Sequence, residues 1–290
     1  MATLIRITGL PRSGTTVFQR LLSSDPKVYT QAETWVFPSL VSPLFCVSEV
    51  NIRTSISNSN YDLERANYCA ICYIKKFIMS NTSKLVFVEK TPRNYFCAPF
   101  GVRRMAGVSV RDLIITRQPS EIVSSMINEF LRGGFRFLHA YYCDFTVGPG
   151  RLVEFSKKVK SDEIYRFEDI FDEKLSDRVY KSLRLQIHHE LYDIDTKIGD
   201  KNKDRHVVKS APRKCKGIFV KLFFNRILKN NFEGYAQRFG YTVETMEICV
   251  SDFVLGKNLV DLWWLLVFCA RFILGKLAMA LFRYKSSGLL

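Results

Sequence analysis

Apolar and polar positions along this chain follow two periods that take turns. Short apolar, β-branched or aromatic runs at residues 3–8, 84–88, 112–116 and 163–167 read as strands. The segments between them are long enough for crossover helices, which is the pattern of a parallel sheet. Helical spacing is plain at residues 15–22, at 61–79, after Pro119 and at 219–239. The class is therefore α/β, a parallel sheet flanked by helices. Residues 46–60 and 199–205 are polar and read as surface loops, with Lys201-Asn202-Lys203-Asp204-Arg205 a solvated linker. No internal repeat or low-complexity block interrupts the pattern.

The pattern changes after Lys257, where a strongly apolar, aromatic stretch begins. Residues 259–282 are long enough to span a bilayer, but Arg271 and Lys276 break the apolar run well short of the about 18 residues a span needs. At about 100° per residue, Lys257, Asp261, Arg271, Lys276 and Arg283 share an arc of roughly 140°, opposite a face of Leu262, Trp263, Leu266, Ile273 and Leu277. This is an amphipathic C-terminal helix. Lying in a membrane interface, packing on the domain or a partner, and spanning stay open, in that order of preference. The expected organisation is a main domain over residues 1–250 and this tail over 251–290.

Composition adds bounds. With 290 residues, 47% of them hydrophobic, the chain buries a full core. The formal net charge of +15 points to an anionic partner. Charge alone does not choose among a nucleotide, an acidic glycan, nucleic acid and anionic lipid, and a nucleic-acid role has no other support. The first strand begins almost at Met1, with no apolar signal core, so a cytoplasmic protein is expected, peripheral at the cytoplasmic face of a membrane if the tail binds one. Its eight cysteines are then expected to stay reduced. Cys69 and Cys72 form a C-x-x-C without a second pair, which argues against zinc, and His188-His189 reads as helix surface.

The densest chemical signal is Gly9-Leu10-Pro11-Arg12-Ser13-Gly14-Thr15-Thr16, directly after the first strand. Gly9 and Gly14 keep the G-x-x-x-x-G spacing of a phosphate-binding loop, whose backbone N–H groups curl around an anion at a helix N-terminus. The lysine expected after the second glycine is replaced by Thr15, and a cation, Arg12, stands inside the loop instead. The site is thus suited to a phosphate-like group but lacks the usual nucleotide-hydrolysing lysine. A second anion site can be read at Arg117, on the C-terminal edge of a strand. Pro119 starts the next helix there, and Ser125 lies about two turns into it. Two such grips suit a ligand with two separated phosphate-like groups.

Together, the P-R-S-G-T-T loop, Glu89-Lys90-Thr91-Pro92, Arg117 with Ser125, and Tyr165-Arg166-Phe167-Glu168-Asp169 resemble a sulfotransferase that uses 3′-phosphoadenosine 5′-phosphosulfate (PAPS). The chain is similar in particular to the subgroup of tyrosylprotein sulfotransferases and bacterial carbohydrate-type enzymes, which carry arginine in this loop. The resemblance runs from about Thr3 to about Tyr241, closing on Tyr235-Ala236-Gln237-Arg238-Phe239-Gly240-Tyr241. It implies a P-loop fold in which Pro11, Arg12, Ser13, Gly14, Thr15 and Thr16 cradle the 5′-phosphosulfate while Arg117 and Ser125 hold the 3′-phosphate. Arg12 and Lys90 would stabilise charge on the transferring group, and Glu33, in Gln31-Ala32-Glu33-Thr34, would be the base for the acceptor hydroxyl. The histidine base of the cytosolic sulfotransferases would fall near Pro92, so it is not available here. This scheme requires no metal.

The chain departs from the family where a basic loop and a tryptophan cover the nucleotide. It has Lys209-Ser210-Ala211-Pro212-Arg213-Lys214-Cys215-Lys216-Gly217-Ile218-Phe219 instead, with Lys209 and Lys214 as candidate cofactor contacts and Phe219 at the tryptophan position. The implied acceptor is a hydroxyl, a glycan or glycolipid if the tail holds the enzyme at a membrane. Residues 36–60 and 133–150 are expected to be acceptor-facing loops. A nucleotide kinase or NTPase on the same loop, and a non-catalytic nucleotide-binding protein, are the alternatives.

Overall fold

The computed structural model of the chain describes residues 2–30, 72, 76, 84–96, 104–105, 108–133, 144–172, 174–188, 218–246, 263 and 266. They fall into two compact units. The first holds a sheet of six strands among the described residues: β1 (Ala2–Thr8), β2 (Val28–Thr30), β3 (Val86–Lys90), β4 (Arg104–Met105), β5 (Val108–Thr116) and β6 (Ile164–Arg166). β1 is central, paired in parallel with β3 on one side and β5 on the other, and β2 lies beyond β3. On the far side of β5, β6 pairs in parallel at its C-terminal end and β4 antiparallel at its start. A parallel sheet places its strand C-termini at one edge, so the segments leaving Thr8, Lys90, Thr116 and Arg166 share it.

The α/β class and all four expected strands are present, with shifted bounds. β5 begins at Val108 because its first residues alternate in burial, which hides a strand from a search for continuous apolar runs. β2 and β4 are too short for such a run to show. Helix α1 (Thr15–Leu22) has the expected bounds. It buries Thr15, Phe18, Gln19 and Leu22, the i, i+3, i+4, i+7 set of one face. Phe18 packs into a core with Ile5, Ile7, Val88, Leu113 and Ile115, its ring 4.8 Å from that of Tyr165. Buried Gln19 donates to Thr30 Oγ1 at 2.6 Å, which in turn donates to the Val88 carbonyl at 2.7 Å, so α1 is fastened to β2 and β3.

In strand register, Arg6 lies between Glu89 and Asp112, and its guanidinium grips Asp112 at 2.6 and 2.9 Å. The residues expected to form a loop up to position 150 instead end in helix α3 (Gly148–Ser156). Pro149 suits a first turn, where its missing N–H has no intrahelical role, and Leu152 and Phe155 supply the buried face. Helix α4 (Lys174–Leu183) was also not expected, since its apolar stripe is only Leu175 and Val179. Asp172 caps it by accepting the Lys174 N–H at 3.0 Å. His188 is not on a helix: residues 184–188 run without regular structure, held to the end of α1 by Gln186 N–H to Asp25 Oδ2 at 2.7 Å and His188 N–H to Ser24 Oγ at 2.9 Å.

Tyr165 is buried in this unit, its hydroxyl 2.9 Å from Ser182 Oγ and its ring under the Arg178 guanidinium. Burial pushes its phenol above the ordinary value of 10.0, with Ser182 and Arg178 pulling the other way. In the unfolded chain the phenol ionises first, so this contribution to stability is complete below pH 10.0 and is lost as pH rises towards the folded value. Tyr165→Phe should therefore flatten the alkaline loss of stability, while costing about 1 kcal/mol at neutral pH through the Ser182 bond. Denaturation at stepped pH checks this, and identical alkaline slopes would refute it.

The second unit contains α2 (Pro119–Gly133), α5 (Ile218–Asn231) and α6 (Glu233–Phe239). Residues 219–239, expected as one helix, are thus two, divided at Phe232, which keeps non-ideal helical angles and is fully buried. Its core includes Ile122, Met126, Phe224, Leu228 and Tyr235, with the Phe224 ring 5.0 Å from that of Phe145. Asn225 both donates to and accepts from the Met246 backbone at 3.1 and 2.8 Å, fixing the strandless segment that follows α6. Among the described residues no helix is long and apolar enough to cross a membrane. Of the tail, Trp263 and Leu266 are described; both are helical and exposed.

Candidate active site

The loop between β1 and α1 lies at the sheet edge where β1, β3 and β5 end. Ile7 is level with Lys90 and Thr8 with Ile114. Both the Gly9 N–H and the Thr8 hydroxyl donate to the Pro92 carbonyl at 3.2 Å, which ties the loop's entry to the turn after β3. A Cβ on Gly9 would stand 2.5 Å from the Ile115 carbonyl oxygen and 2.6 Å from Ser13 Oγ, so only glycine fits so close to β5.

The loop then turns tightly, with the Ser13 N–H donating to the Leu10 carbonyl at 3.0 Å. Arg12 takes a left-handed φ of 72°, uncommon outside glycine, and Gly14 follows at φ 98°. Left-handed residues on either side of Ser13 turn successive N–H groups toward one side, the arrangement that makes an anion-binding concavity. Helix α1 starts at Thr15 with no side-chain cap, so its first N–H groups have no acceptor within the helix. Ser13 is fully buried and its Oγ has no hydrogen-bond partner among the described residues. Buried hydroxyls are nearly always paired, and an unpaired one costs about 1–3 kcal/mol, so this orphan fits an oxygen-rich anion in the loop.

Lys90 ends β3 almost fully buried, and the preceding residue, Glu89, is fully buried. Glu89 accepts from Thr91 Oγ1 and, at 2.7 Å, from Asn94 Nδ2, so its carboxylate props the turn that carries Pro92. Across the sheet edge, Arg117 lies one residue beyond β5. Its Nη1 donates to the Arg12 carbonyl at 3.4 Å, and its guanidinium carbon stands 4.2 Å from the centre of the Phe167 ring. The first unit thus brings together Pro11, Arg12, Ser13, Gly14, Thr15, Thr16, Lys90 and Arg117. The half-buried Ser125 belongs to α2 in the second unit. Glu33, Lys209 and Lys214 lie outside the described residues. Cys72 is a half-buried free thiol. Among the described residues, no group of three or more His, Cys, Asp or Glu could hold a metal ion.

Sequence reasoning missed two contributors. Glu89 was legible, being a carboxylate inside the apolar strand Val86-Phe87-Val88-Glu89, which a core admits only if it is hydrogen-bonded. Phe167 was not: it reads as one more strand aromatic, and its contact with Gly14 exists only through the fold.

The family model described as "Sulfotransferase family" matches residues 5–168. No curated protein matches the chain. Among solved structures, the chain is similar to the sulfotransferase domain of the olefin synthase from Synechococcus PCC 7002, at 15% identity over 83% of this chain and 95% of that one, with a TM-score of 0.47. It is also similar to the sulfotransferase domain from the curacin biosynthetic pathway, at 15% identity over 66% of this chain and 77% of that one, with a TM-score of 0.43.

Proposed function

This chain belongs to the sulfotransferase family, and from that premise we propose that it moves the sulfuryl group of PAPS to an acceptor hydroxyl. The observation that carries the reading is the loop itself: an uncapped helix start and a buried Ser13 hydroxyl without a partner among the described residues, beside the cations Arg12 and Lys90. In this scheme the loop N–H groups and the hydroxyls of Ser13, Thr15 and Thr16 hold the 5′-phosphosulfate. Arg117 holds the 3′-phosphate. Glu33 takes the acceptor's proton as its oxygen attacks sulfur, and the bond from sulfur to the 5′-phosphate oxygen breaks. Arg12 and Lys90 stabilise the charge that gathers on the leaving phosphate, so the products are a sulfate ester and adenosine 3′,5′-bisphosphate. Arginine rather than lysine in the loop supports kinship with the subgroup of tyrosylprotein and bacterial carbohydrate-type enzymes.

The acceptor class we favour is a glycan or glycolipid, with the tail lying in a membrane interface. Trp263 and Leu266, three positions apart and exposed, support an apolar face there.

A thermal-shift comparison tests the cofactor reading. Adenosine 3′,5′-bisphosphate should stabilise the protein far more than ADP, by about 2.7 kcal/mol at a hundredfold excess over Kd. Arg117→Ala should erase most of that preference. Equal stabilisation by ATP with Mg²⁺ would give the site to a nucleotide kinase or NTPase instead.

A further inference from the structure

Phe167 touches both halves of the anion site, although no part of the proposed chemistry uses it. Its place follows from register. β6 pairs with β5 so that Thr116 is level with Arg166, and each strand ends there. The next residue on each, Arg117 and Phe167, are therefore neighbours at the same sheet edge. Arg166 is still extended, and Phe167 opens a short 3-10 turn over Phe167–Phe171 that folds the chain back. The ring is half-buried, one side packed on the core that includes Ile5, Phe18 and Tyr165.

Two contacts leave this ring. A Cβ built on Gly14 would lie 2.1 Å from Phe167 Cδ2 and 2.7 Å from Cε2, so the ring rests directly against the loop's second glycine. The Arg117 guanidinium carbon lies 4.2 Å from the ring centre. A cation over an aromatic face is held by the ring's quadrupole, and this contact consumes none of the five in-plane N–H donors of a guanidinium. One of those donors reaches the Arg12 carbonyl. The ring and the Arg12 carbonyl thus hold the guanidinium at two points. Without the ring, the side chain would lose one of the contacts that hold it in place, and part of its ordering would fall to the ligand, which weakens binding.

We infer that Phe167 is a positioning residue for the second anion grip: its ring sets the distance between the glycine loop and Arg117, and so makes the site selective for a nucleotide that carries a 3′-phosphate as well as a 5′-phosphate. The inference rests on the reading of Arg117 as the 3′-phosphate grip. It assigns no step of the transfer to Phe167.

The test is a binding ratio, Kd for 5′-AMP divided by Kd for adenosine 3′,5′-bisphosphate, measured by calorimetry on the full chain after each variant's unliganded melting has been recorded. Phe167→Leu should lower the ratio about tenfold, the scale of a partly desolvated cation–π contact, and leave the 5′-AMP affinity within about threefold. Phe167→Tyr, which keeps the ring, should keep the ratio. In an Arg117→Ala background, Phe167→Leu should change nothing further, because the residue it acts through is gone. Should Phe167→Leu not fold, Phe167→Met carries the same comparison. A wild-type ratio near one would overturn the cofactor reading and this inference with it. A high wild-type ratio that survives in Phe167→Leu, or falls as far in Phe167→Tyr, would overturn this inference alone. So would a further fall in the Arg117→Ala background, since the ring would then be acting through the loop.

Discussion

Gly14→Ala is expected to lower the melting temperature by roughly 5–10 °C and to abolish stabilisation by adenosine 3′,5′-bisphosphate. Two independent penalties meet at this position. The backbone holds φ 98°, which an L side chain rarely adopts, and the added methyl would lie 2.1 Å from a Phe167 ring carbon. The ring has little room to yield, because it packs on the core below and carries the Arg117 guanidinium. Relief must come from the loop, which would open and lose the inward aim of its N–H groups. The strained backbone and the overlap together are worth about 2–3 kcal/mol. Gly234→Ala is the control: it lies inside α6 with nothing within 4 Å of the new Cβ, and a helical Gly-to-Ala change stabilises by about 0.5–1 kcal/mol. Differential scanning fluorimetry on both variants decides the matter. Gly14→Ala melting with the wild type, and still responding to the bisphosphate, would mean that the loop tolerates a side chain and that the steric account is wrong.

That contrast also marks what the sequence could convey. Glycine at positions 9 and 14 announced a phosphate loop, because the spacing needs only local geometry, and β1 and α1 were legible for the same reason. Helix α1 reports its burial through the period of its side chains, and β1 through a short run buried on both faces. α4 hid because two apolar residues suffice to seat it, and α3 because Gly148 and Gly150 read as loop while Pro149 was its start signal. The site followed the same division. Arg117 could be picked out as a cation at a strand end, since an α/β sheet gathers strand C-termini at one edge whatever its details, Arg12 as a cation inside the glycine loop, and Lys90 through the family resemblance. The two props behind them could not be picked out with equal ease. Glu89 advertises itself by being charged in an apolar strand, but Phe167 matters through a pairing between β5 and β6, whose register no residue near Phe167 encodes.

The largest effect on turnover should come from the groups to which the proposed scheme gives the proton and the transferring charge, Glu33 and Lys90. Glu33→Gln removes the proton acceptor and keeps the shape, so kcat should fall by about 10²-fold or more while the Kd for adenosine 3′,5′-bisphosphate stays within a few-fold. Lys90→Met keeps most of the volume of an almost fully buried side chain at the end of β3 and removes its charge. It should lower kcat by about 10²–10³-fold, the usual cost of deleting a group that meets charge developing in the transition state. The two losses should differ in kind. Without its base the enzyme should recover part of its rate as pH rises and the acceptor ionises unaided, whereas a missing cation is not replaced by hydroxide, so the Lys90→Met deficit should be flat in pH. Rates measured with saturating PAPS and one hydroxyl acceptor across pH 6–9 separate these behaviours. Full activity in Glu33→Gln would remove that residue from the mechanism and leave the base to be sought elsewhere. Full activity in Lys90→Met would leave Arg12 as the cation serving the leaving phosphate.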